Sequence, residues 1–106
     1  MIWKGWNNGS KLASGAGYGL KISPNDRDSH FNKNWNSVTI KLHGASKSHG
    51  IDVSITDSFW RNCSELRSQE IGKWLISNGY APWPKGSPPQ FNVELVGDRV
   101  FQVNEL

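Results

Sequence analysis

YGLKISPNDRDSHF, residues 18–31, changes its period halfway along. The first half sets Tyr18, Leu20 and Ile22 on one side and Gly19, Lys21 and Ser23 on the other, the alternation of a strand that buries one face. Pro24 ends that alternation, because it has no N–H to give to a ladder, while its fixed φ suits the first position of a helix. Ser23 is then a cap, and Asp26 and Asp28 fall in the first turn, where the helix dipole favours carboxylates. The stretch predicts a strand running directly into a short helix over about 24–33.

Working outward, SVTIKLH puts Val38, Ile40 and Leu42 on one face and GIDVSIT does the same with Ile51, Val53 and Ile55. With GASKSHG as the turn between them, they predict a β-hairpin. FNVELV and RVFQV predict a second hairpin about a Gly97-Asp98 turn, with Phe91, Val93 and Leu95 sharing a face. Ile71, Trp74 and Leu75 form an i, i+3, i+4 stripe behind Ser68 and ahead of Asn78-Gly79, so a helix is expected over about 68–78. Gly72 costs that helix about 1 kcal/mol relative to Ala, which points to close packing there. A further strand is expected near Phe59 and Trp60, and the prolines of APWPKGSPPQ exclude regular structure.

Residues 1–16 are rich in Gly, Asn and Ser and follow no period, so they read as a flexible basic and aromatic arm ahead of a folded core, 17–106. The order of elements fits an α+β, β-rich domain better than a βαβ alternation: a small open barrel, or pseudobarrel, of about six to seven strands with two short helices. A chain of 106 residues forms one domain around one core.

The mean hydropathy of −0.58 and the 11 glycines indicate a globular chain with many turns. No window is apolar enough for a membrane span, and MIWKGWNNGS has no signal-like apolar region, so the protein is expected to stay where it is made. A lone Cys63 forms no internal disulfide and has no CxxC partner, which fits a reducing cytoplasm. The pI of about 9.2 favours an anionic partner. Charge is unevenly distributed: residues 1–50 carry seven Lys and Arg against two carboxylates, and residues 51–106 carry five against seven. Among the six tryptophans, Trp35, Trp60 and Trp74 sit in apolar surroundings and are expected in the core, while Trp3 and Trp6 lie in the arm with a surface or binding role open to them.

GSKLASGAGYGLKI, residues 9–22, invites a phosphate-loop reading. A P-loop sits between a strand and a helix and ends in Gly-Lys-Ser/Thr, whereas these glycines precede a strand and no such pair follows. A turn, or a loop held close to a ligand backbone, remains. His30, His43 and His49 lack HExxH spacing, and Cys63 has no nucleophile signature and reads as a buried small hydrophobe. No catalytic residues, metal site or cofactor is expected. Lys4, Trp6, Asn7, Asn8, Ser10 and Lys11 are the residue types that meet phosphates and base edges.

YGLKISPNDRDSHF, VTIKL, GIDVSIT and IGKWLISNGYAPWPKGSPPQFNVELVGDRVFQV together resemble the plan of the B3 DNA-binding domain over about residues 18–104. That plan has a strand ending in a Pro-led short helix that closes on His-Phe, a set of strands, a Gly-Trp-type helix followed by Asn, and a terminal Phe-rich hairpin. The resemblance implies a pseudobarrel of the kind found in plant transcription factors and in the recognition domains of some bacterial restriction endonucleases, gripping the major groove of double-stranded DNA with two arms. They would be residues 9–19 and about 56–67, with Lys11 and Lys21 on phosphates, Asn8 or Ser10 near base edges, and Arg61 and Arg67 serving from the second arm. SFWRNCSELRS and APWPKG fall outside that plan and are similar to small bacterial proteins, including ones carried on mobile gene cassettes, which implies no activity.

The expected function is a non-catalytic DNA-binding module, and the competing one is a protein-interaction or carbohydrate-binding module that uses Trp3, Trp6 and Trp83 as platforms. Small DNA-binding modules gain affinity by pairing half-sites, so a homodimer is among the states to be tested.

Overall fold

Ser23 caps the first helix as its position suggests, its hydroxyl accepting the Asp26 N–H at 3.1 Å. In the computed structural model, which describes residues 1–10, 12–44 and 50–106, that helix lies third in a run of seven strands and three helices. The order is β1 (Ile2–Asn7), β2 (Tyr18–Lys21), α1 (Pro24–His30), β3 (Ser37–Leu42), β4 (Ile51–Ser54), α2 (Asp57–Arg61), β5 (Glu65–Arg67), α3 (Gln69–Ser77), β6 (Gln90–Gly97) and β7 (Val100–Glu105). The strands form one mixed sheet, β4-β3-β7-β6-β1-β2-β5, in which only β3 and β7 run parallel. The sheet curls until β4 and β5 approach each other, giving the nearly closed, β-rich α+β barrel expected from the sequence. Of the turn assigned to GASKSHG, residues 45–49, with Lys47 and His49, lie outside the described residues, as does Lys11.

Inside the barrel, Trp3, Leu20, Ile40, Phe91, Phe101 and Val103 are fully buried. Phe31, just past α1, stacks on Phe101 with ring centres 4.8 Å apart and meets Phe59 of α2 at 5.0 Å. At the far end of β3, Trp74 of α3 packs on Phe91 at 5.2 Å, and its indole N–H donates to the His43 carbonyl at 2.9 Å. Tyr80 joins this second cluster and donates its hydroxyl to Glu105 Oε1 at 3.0 Å. Burial first, and then the hydrogen bond and negative charge of Glu105, raise the Tyr80 phenol above its ordinary value of 10.0. A raised folded-state value means this stabilisation is complete below pH 10 and is lost as pH rises through the folded pKa. In an alkaline absorbance titration, Tyr80→Phe should delete a tyrosine transition that lies above pH 10; deletion of one at or below pH 10 would refute the assignment.

The structure corrects four boundaries. Residues 2–7 are not an arm: β1 pairs with β2 on one side and β6 on the other, and Trp3 is fully buried. The alternation is hard to see because the inward slot after Trp3 is Gly5, where a Cβ would come within 3.0 Å of the Pro89 and Trp83 side chains. No strand covers Phe59 and Trp60; Asp57 opens the short α2 there and the strand comes later, at Glu65–Arg67, too brief to show a period. Helix α1 stops at His30 because Phe31 turns to extended backbone and enters the core. The last hairpin turns at Asp98-Arg99, with Arg99 at φ 59°, and a register shift between Leu95 and Gly97 leaves Leu95 45% exposed.

Candidate nucleic-acid interface

Strands β1, β2 and β5 lie side by side, and their outward-facing positions align in two rows. Lys4 pairs with Lys21 and Lys21 with Glu65; one step along, Trp6 pairs with Gly19 and Gly19 with Arg67. Gly19 puts no side chain between its neighbours, and a Cβ there would stand 2.3 Å from the Leu66 carbonyl oxygen. The long side chains on either side therefore meet above it, with the Arg67 guanidinium 4.9 Å from the centre of the Trp6 ring.

Glu65 anchors this face from below. Its side chain is only 4% exposed, with Oε2 held by Lys21 Nζ at 3.3 Å and Oε1 by Arg67 Nη2 at 3.0 Å. A carboxylate so placed needs both cations, since a buried charge without partners is strongly destabilising. Lys4, Lys21 and Arg67 thus outnumber the Glu65 carboxylate on these three strands, and Asp52 lines the seam beyond them.

The described residues of the connection between β1 and β2, 8–10 and 12–17, border this face and are held against the domain. Asn8 donates its N–H to the Gly17 carbonyl at 2.9 Å, and its Oδ1 accepts the Ser10 N–H at 2.9 Å. Gln69 of α3 donates to the Ser14 carbonyl at 3.1 Å. Gly15, at φ +90°, lies directly on Gly72 of α3, where a Cβ would stand 2.0 Å from the Gly15 oxygen. Gly72 was expected to mark close packing, and its neighbour is the glycine run that suggested a phosphate loop. Those glycines serve approach to α3, to the Asn8 side chain and to β5. Trp6, Asn8, Gly17, Arg67 and Gln69 line a concavity of about 300 Å³, and Arg67 and Ser68 carry the surface on into the seam between β4 and β5, about 430 Å³.

Of the expected site residues, Lys4, Trp6, Asn8, Lys21 and Arg67 converge here, with Ser10 exposed beside Asn8 and Lys11 outside the described residues. Arg61 lies apart, in a concavity of about 390 Å³ with Lys33, Asp57 and Trp60. There the Arg27 guanidinium and the Lys33 ammonium each lie 5.6 Å from the centre of the Trp60 ring. Sequence reasoning missed Glu65, although Glu65-Leu66-Arg67 alternates charged, apolar, charged, and it missed Lys33 and Arg27 beside Trp60. Among the described residues no three His, Cys, Asp or Glu side chains group as a metal site, and no helix is long and apolar enough to cross a membrane. No family model, curated protein or solved structure matches the chain.

Proposed function

We propose that the chain is a non-catalytic double-stranded DNA-binding module of B3-like plan, with the outer face of β1, β2 and β5 as its contact surface. The observation that supports this reading is the meeting of Lys4, Lys21 and Arg67 with the Trp6 ring on one face, three strands wide and bordered by a polar loop. Loop 8–17 joins β1 to β2, and residues 55–64 join β4 to β5, the two connections that correspond to the arms of the B3 plan. Cations spaced along strands suit phosphates, while Trp6, Asn8 and Arg67 suit base edges.

The test is fluorescence anisotropy of the full chain with a labelled random duplex pool from low to physiological salt. Affinity should fall linearly on logarithmic axes as counterions return. Lys4→Glu, which leaves the Lys21–Glu65 pair intact, should weaken low-salt binding severalfold and reduce the slope by about 1. Unchanged affinity would sink the assignment. The competing protein or carbohydrate module loses Trp3, which is buried, and keeps Trp6 and Trp83 as half-buried rings. Salt-independent quenching of tryptophan fluorescence by a sugar or peptide would favour it.

A further inference from the structure

We infer that Arg67 is a specificity-determining residue that reads a guanine through its O6 and N7, with Glu65 and Trp6 as the positioning residues that aim it. This rests on the DNA-binding reading above and goes beyond it, from affinity for a polyanion to a named base.

The case begins with how the guanidinium is held. Glu65 Oε1 takes one N–H of Nη2 at 3.0 Å, and Glu65 cannot swing away, because it is buried and its other oxygen is bound by Lys21. The Trp6 ring lies against the guanidinium at 4.9 Å and restricts its remaining freedom. A planar fork fixed at one edge and one face binds with little further loss of rotamer entropy. The Arg67 side chain is still 55% exposed, so the rest of its fork faces outward. Two parallel N–H donors in one plane match two adjacent acceptors, and among base edges in the major groove guanine O6 and N7 are that pair.

Arg27 makes the contrast clear. It is also held, by Asp28 at 3.0 Å and by the Phe59 carbonyl at 3.1 Å, but only 14% of its side chain is exposed, so its fork is committed to α1 and α2. Lys4 and Lys21 are single-point donors that suit phosphates. Glu65 would repel DNA if bare, but with Lys21 and Arg67 on its two oxygens the group of three carries a net positive charge.

A phosphate would also accept two N–H bonds from Arg67. The two acceptors differ in what their loss does: a phosphate contact raises affinity for every sequence, and a guanine contact raises it for one. The experiment is selection of a preferred duplex from a randomised pool by the full-length protein. Competition anisotropy then compares that duplex with copies in which each guanine is replaced in turn by adenine or 7-deazaguanine. One position should lose about 5- to 150-fold on replacement by adenine. In Arg67→Met that discrimination should collapse while salt-dependent binding to random duplex persists, and Glu65→Gln should lower the ratio of guanine to adenine affinity at the same position. The 7-deazaguanine arm changes only the DNA, so it stays informative if a variant folds poorly. A selected site without a sensitive guanine, or an Arg67→Met loss equal across all sequences, would overturn the inference and leave the DNA-binding reading in place. Absence of salt-dependent binding by the unaltered protein would overturn both.

Discussion

Trp3→Ala should lower the unfolding free energy by about 3 kcal/mol, the lower end of what a fully buried tryptophan costs when truncated. The indole is 0% exposed and packs on Phe101 at 5.1 Å and Phe31 at 6.1 Å, so the cavity would open among rings that cannot collapse into it. The lower end is expected because Trp3 Nε1 has no hydrogen-bond partner, and removing a buried orphan donor offsets part of the loss. Urea unfolding followed by far-ultraviolet circular dichroism measures this directly. If residues 1–16 were a solvated arm, the midpoint would barely move, so a shift below about 0.5 kcal/mol would contradict the placement of β1. Domains of this kind are stable by about 5–15 kcal/mol in total, so the expected change is a large share of the whole.

The second large effect has the opposite sign from what helix propensity predicts. Ala at position 72 should gain about 1 kcal/mol in an isolated helix. Here the added methyl would stand 2.0 Å from the Gly15 oxygen and 2.7 Å from the Gly15 carbonyl carbon, both backbone atoms that no rotamer change can clear. Loop 8–17 must therefore lift or α3 must shift, and Gly72→Ala should cost about 1–3 kcal/mol net. Hydrogen exchange at the amides of residues 12–17 should quicken in the same variant, because the loop loses its seat on the helix. A variant more stable than the parent would show that the loop does not rest there.

The elements legible in the sequence were those whose pattern is local and repeated. The alternation of Val38, Ile40 and Leu42, the Ser23-Pro24 helix start and the Ser68 to Asn78 helix all stand where their periods put them, to within a few residues. What stayed hidden depends on distant partners. β1 presents Trp3 and then Gly5 to the interior, and the need for glycine there arises from Pro89 and Trp83, more than 75 residues away in sequence. β5 has three residues, and Glu65 acquires its meaning only when Lys21 is brought beside it. For the candidate site, the residue types were legible in Lys4, Trp6, Asn8, Lys21 and Arg67. Their meeting was not, because it is the register of three strands that brings Trp6 and Arg67 together across Gly19.

The strand order has a consequence for how the molecule assembles. The β6–β7 hairpin comes last in the chain yet stands in the middle of the sheet, joining β3 and β4 on one side to β1, β2 and β5 on the other. The Met1 ammonium even donates to the Val93 carbonyl at 3.0 Å, a contact between positions 92 residues apart. Neither half of the sheet has its interior neighbour without that hairpin, so the barrel depends on pairings between distant segments of the chain. Pairings between segments so far apart in sequence carry a high loop-closure cost, so refolding slow for a domain of this size is the expected result.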